Sequence, residues 1–164
     1  MRALTFFFIV SAVMLSARLS AQKDIYKFQY DISCKGRGQG GTKQIEITTR
    51  CGKKGDLEES AKRDCIHGLI FSGVKLGNGE CPKYPIIPNS SESDPKHKDF
   101  FDTFFYTPSE YNRFISGCSV KAPGGYKKIK DGGHEGTYIM NVDYDALVDY
   151  LEQKNVIKKL SNRL

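Results

Sequence analysis

Cys65 and His67 come closest in this sequence to a catalytic pair. A thiol beside an imidazole is the minimum for nucleophilic chemistry. On a helix, however, side chains two positions apart point about 200° away from each other, so these two residues cannot form the pair themselves. A thiol-dependent enzyme or hydrolase using Cys65, or Cys81, would need His97 or His134 brought in from elsewhere. The simpler expectation for Cys65 is a buried, inert thiol. The histidines show no H-E-x-x-H spacing and the cysteines no C-x-x-C, so neither zinc nor dithiol redox chemistry has a basis here. No G-x-S-x-G marks a serine nucleophile, and capping a helix explains Asp143 beside Asp145 without any chemistry. No catalytic residue, metal or cofactor is assigned.

Binding chemistry has more to draw on. The stretch K-G-R-G-Q-G-G-T-K places Lys35, Arg37 and Lys43 among four glycines. Nucleotide phosphate loops run from a strand into a helix and carry G-K-[ST] or G-x-G-x-x-G at fixed offsets. This loop instead joins two strands, so it reads as a basic hairpin tip. Farther on, Phe100, Phe101, Phe104, Phe105, Tyr111 and Phe114 form a dense aromatic block. Such a block is expected to be mostly core, with Phe100, Phe104 and Tyr111 the candidates for an exposed patch that meets a partner.

The five cysteines, Cys34, Cys51, Cys65, Cys81 and Cys118, are odd in number, so at least one is unpaired within the chain. Cys81 and Cys118 are the pair most readily bridged, one on a loop and the other on a strand. An all-free state is the alternative. Disulfides suit the compartment that the N-terminus implies, because residues 1–21 have a basic start, an apolar run and small residues before Gln22, the layout of a secretory signal peptide. Without them 143 of 164 residues remain and the net charge falls from +6 to +4, since Arg2 and Arg18 are lost. That is one domain with a mild positive excess. It suits attraction to anionic envelope polymers better than nucleic-acid binding, which concentrates charge on one face.

The elements that must position these residues follow from periodicity. Asp24 to Cys34 and Gln44 to Cys51 alternate apolar and polar residues as half-buried strands. A turn at Gln39-Gly40 sets Cys34 opposite Ile45 and Phe28 opposite Cys51, keeping both apolar faces on one side. Leu57, Ala61, Cys65 and Leu69 recur every four residues on a helix that opens with Asp56 and Glu59 as a capping box. A connector rich in glycine and proline, flexible near 77–93, leads to Asp94-Pro95, an N-cap and first helical residue. The aromatic helix follows, then a short helix opened by Thr107-Pro108-Ser109-Glu110. Strands are expected at Ser116–Lys121, Tyr126–Lys130 and Tyr138–Val142, with a loop over Asp131–Gly136, and Asp143 caps a last helix.

The blocks A-K-R-D-C-I-H-G-L-I-F, H-K-D-F-F-D-T-F-F and Y-I-M-N-V-D-Y-D-A-L-V-D-Y-L-E resemble small exported proteins of unknown function from Bacteroidetes-type bacteria. The resemblance implies a periplasmic or extracellular location and carries over no catalytic residue. Hairpins interleaved with helices indicate an α+β fold. It has two layers, an antiparallel sheet of four to five strands with three to four helices mainly on one face. The functional expectation is a non-enzymatic binding or structural module whose partner is an envelope or extracellular macromolecule.

Overall fold

Alternating residues on either side of a glycine-rich turn build the first hairpin. β1 (Tyr30–Arg37) and β2 (Lys43–Cys51) pair antiparallel, with Cys34 opposite Ile45 as the alternation requires. The computed structural model describes residues 27–74, 80–90 and 92–159, so the expected signal segment 1–21 lies outside them. Two details of the hairpin differ from expectation. The first strand starts only at Tyr30, because Phe28 has a φ of 58° and turns the chain out of the ladder. Beyond Cys34 the register slips by one residue at Gly36, whose φ of 127° suits a bulge that a side chain would strain.

The sheet order is β1-β2-β5-β3, all antiparallel. β3 (Ile115–Val120) and β4 (Tyr126–Lys128) both pair with the outer edge of β5 (His134–Val142), one after the other. β5 extends back over three residues expected to form a loop. His134, Glu135 and Gly136 pair with Cys51, Arg50 and Thr49 on one side and with Lys128, Lys127 and Tyr126 on the other. Hydrogen-bonding partners on both edges outweigh the weak local strand preference of a G-G-H-E-G run.

α1 (Leu57–His67) packs on β2 and β5 through Leu57, Ala61 and Cys65, all buried. The capping box is not formed. Asp56 makes no side-chain cap, and the Glu59 carboxylate instead accepts from the Tyr111 hydroxyl and the Asn112 amide. The helix runs on through a π-type turn (Gly68–Ser72) and stops at Gly73, whose φ is 68°. Carbonyls of Leu69 and Ile70 accept from the backbone N–H groups of Ile86 and Ile87, which pins the connector there.

α2 (Lys98–Tyr106) starts later than Asp94-Pro95 suggests. The Asp94 side chain accepts from Lys96 N and its carbonyl from His97 N, making a turn ahead of the helix. α3 (Pro108–Asn112) follows, and α4 (Tyr144–Gln153) is capped by the Asp143 carboxylate on Ala146 N. Ile45, Ile47, Tyr138, Met140 and Val142 bury one face of the sheet under helical residues such as Phe101, Phe104, Leu147 and Leu151. The alternate positions Glu46, Thr48, Arg50, Thr137 and Ile139 stay partly exposed. The architecture is the expected two-layer α+β one.

Candidate functional site

The sulfur atoms come first, because they decide between chemistry and binding. Cys65 is fully buried on the inner side of α1, and burial pushes its thiol well above the ordinary range. His67, two residues on, faces a different environment among Phe28, Phe71 and Phe105, with Nδ1 2.7 Å from the Tyr30 hydroxyl. Burial, with Lys27 and Arg63 adding to it, lowers its pKa to about 3, so it is neutral near pH 7. Cys81 is bonded to Cys34, with their Cα atoms 6.0 Å apart. It therefore offers no thiol, and the expected Cys81–Cys118 bridge is corrected.

The reason lies in the sheet order. Cys34 is on β1 at one edge and Cys118 on β3 at the other, with β2 and β5 between them. Three inter-strand steps of about 4.8 Å separate those edges, and the connector returns from α1 to the β1 side. Cys118 is free and half-buried, and burial, with Glu58 next, pushes its thiol up to about 11. Among the described residues no cluster of three or more His, Cys, Asp or Glu side chains is placed to hold a metal.

The aromatic block is core for the most part, which corrects two of the binding candidates. Phe104 is 1% exposed and Tyr111 2%, so neither can touch a partner in the folded chain. The cause is the two helices around them. α2 lays Phe101, Phe104 and Phe105 onto the core, and α3 turns the Tyr111 hydroxyl to Glu59 Oε1 at 2.5 Å. Phe100 differs, being only partly buried. It stacks on Phe104, with centroids 5.6 Å apart, and borders a shallow groove of about 300 Å³ with Tyr150 and Lys154.

The basic residues lead to the face of the sheet that, among the described residues, no helix covers. Lys35 Nζ lies 3.3 Å from Glu46 Oε2, and Lys121, just past β3, reaches the same oxygen at 2.9 Å. On the next rows, Thr48 and Thr137 share a hydrogen bond of 2.9 Å. Arg50, Glu135 and Lys127 then form one cross-strand line, with Arg50 Nε 2.8 Å from Oε2 and Lys127 Nζ 2.7 Å from Oε1. Burial alone would raise both carboxyls. The two cations on each outweigh it and hold Glu46 and Glu135 below the usual carboxylate range. Each acid thus stays charged and is paired with two cations, leaving a net positive charge in each cluster. Asp31 adds one further acid beside Thr48. Arg37 and Lys43 lie opposite each other at the end of the hairpin, but in register with buried Val142, so they belong to the helix side and not to this face.

Glu46, Arg50, Lys121, Lys127 and Glu135 were not singled out by sequence reasoning. The alternation of Gln44, Glu46, Thr48 and Arg50 marks the polar side of β2, but only the placement of β5 between β2 and β4 brings the charges into rows. Buried Asp64 was missed as well. It accepts from Thr49 Oγ1 and, at 3.3 and 3.2 Å, from Arg63 Nε and Nη2. Its position, three residues after Ala61 and seven after Leu57, put it on the buried stripe of α1 and could have been read from the spacing. No protein-family model matches the chain, and no curated protein or solved structure does either.

Proposed function

We propose that this is an exported, non-enzymatic binding module that holds an acidic polysaccharide against the uncovered face of its sheet. The observation that carries the reading is the pair of acid-bridged cation clusters, Lys35–Glu46–Lys121 and Arg50–Glu135–Lys127, on the face of the sheet opposite the helices of the described residues. A carboxylate that bridges two cations fixes their positions and leaves a net positive charge, so the surface meets an anionic chain already ordered. The Cys34–Cys81 disulfide supports an oxidising compartment, and among the described residues no helix is long and apolar enough to cross a membrane. The buried Cys65 thiol and the neutral, enclosed His67 weigh against the thiol-enzyme alternative.

The test is retention of the full mature chain on immobilised polygalacturonate and dextran sulfate as salt is raised. Retention at low ionic strength is expected, with elution shifted to markedly lower salt in a Lys35→Ser, Lys121→Ser variant of unchanged circular dichroism. Equal elution of the two proteins, or no retention, would refute the reading. Equal affinity for a single-stranded oligonucleotide of matched charge would remove the commitment to a polysaccharide.

A further inference from the structure

Beside the second charge row, on the helix side of the β4–β5 hairpin, lies a pocket of about 270 Å³. Lys54, Leu57, Tyr126, Lys127, Lys128 and His134 line it with no carboxylate; Lys127 turns its ammonium to Glu135 on the open face, which leaves Lys54, Lys128 and His134 as the basic groups on the pocket side. Leu57, the first residue of α1, is buried and gives an apolar floor. Tyr126 is 45% exposed and is braced edge-on against buried Tyr138, with centroids 6.0 Å apart. A half-exposed aromatic ring with a fixed backing is a platform for another ring.

Lys127 pairs with Glu135, but among the described residues neither Lys54 nor Lys128 is within salt-bridge distance of a carboxylate. Lys54 Nζ instead stands 5.5 Å from the Tyr126 ring centroid, and Lys128 is opposite His134 across the hairpin. His134 Nδ1 is buried and has no hydrogen-bond partner. Orphaned buried nitrogens are rare and call for an explanation. An oxyanion seated between Lys54 and Lys128 would pair with both ammonium groups, and a polar ligand entering the pocket would bring hydrogen-bonding groups toward His134.

We infer that this pocket is a subsite for one acidic sugar residue, a uronate or a sulfated hexose, with the ring on Tyr126 and the anion between Lys54 and Lys128. The inference rests on the polysaccharide reading above and refines it. The volume, just under the usual range for ligand pockets, suits a single ring. Lys127 joins the two features, since it borders the pocket and also pairs with Glu135 on the open face, so a chain on that face would have to pass round the β4 edge to place one residue in the pocket.

Chemical-shift titration of the labelled mature protein tests it with glucuronate, galactose 6-sulfate, glucose and inorganic sulfate as probes. Saturable shifts of Tyr126 and His134 are expected with both acidic sugars, none with glucose, and weaker binding for sulfate alone. Tyr126→Ala and the pair Lys54→Ala, Lys128→Ala should each weaken the sugars by roughly fivefold or more, whereas Lys35→Ser, Lys121→Ser should leave them unchanged. No saturable shift, indifference to the pocket substitutions, or sulfate binding as tightly as glucuronate would overturn the inference. Polymer retention without a monosaccharide response would sink the pocket and leave the sheet-face reading standing. A monosaccharide response without polymer retention would do the reverse.

Discussion

Enclosing an imidazole among phenyl rings removes the water that would solvate its charged form. His67 has Phe28 stacked on it at 3.7 Å between centroids, with Phe71 and Phe105 at 4.9 and 5.4 Å. Its Nδ1 shares a hydrogen bond with the Tyr30 hydroxyl, which burial keeps protonated by raising its pKa to about 12, and Ser72 completes the thread at 2.8 Å. The folded state therefore refuses a proton that the unfolded state takes up. With the pKa near 3 folded and near 6.5 unfolded, stability is complete above pH 6.5 and is lost as the pH falls toward 3. One pH unit well inside that window costs about 1.4 kcal/mol. Urea unfolding between pH 7 and 5 isolates the effect, because the depressed carboxyls of Glu46 and Glu135 titrate lower. The wild type should lose roughly 1–2 kcal/mol over that interval, and His67→Phe should remove most of the slope. An identical slope in the variant would contradict this account of His67.

Among the elements, α1 and its continuation show what periodicity reveals and what it hides. The four-residue spacing of Leu57, Ala61, Cys65 and Leu69 was legible, and all four are buried. Gly68 reads from the sequence as an interruption, yet the chain passes through it into a π-type turn. Its purpose is close approach. A Cβ at Gly68 would stand 2.8 Å from Ile32 Cδ1 and 3.1 Å from Tyr30 Cε2, so the absent side chain lets β1 lie against the helix. Two effects then oppose each other in Gly68→Ala. Helix propensity favours alanine by about 1 kcal/mol, while overpacking against β1 costs about 1–3 kcal/mol. The contact on Ile32 decides the sign, because a buried side chain must shift to relieve it, and a net loss of roughly 1 kcal/mol in urea unfolding is expected. A gain in stability would mean that β1 yields. The capping box failed for a similar reason, since the Asp56–Glu59 spacing says nothing of Tyr111 and Asn112, which arrive from α3 and take the Glu59 carboxylate.

Across the whole molecule, local alternation sufficed for the hairpin, for the polar side of β2 and for the two-layer class. It could not give the strand order, and everything non-local depends on that order. Arg50, Glu135 and Lys127 form a line only because β5 enters between β2 and β4. The disulfide follows the same logic, because spacing leaves Cys81 free to meet either sheet edge and the path of the connector selects Cys34. That bond joins residues 47 apart and encloses β2 and α1, the centre of the fold. Closing such a loop restricts the unfolded chain by an amount worth about 4 kcal/mol in the chain-entropy model, with 2–4 kcal/mol typical of measured cases. Cys34→Ala, Cys81→Ala should therefore lower unfolding stability by about 2–4 kcal/mol. A reductant should bring the wild type down to the same level while leaving the variant where it is. Cys118→Ser should keep the full response to reductant, since its thiol takes no part. If the response instead disappeared in Cys118→Ser and survived in the double variant, the bridge would run to the opposite edge of the sheet and the connector would have to be rerouted.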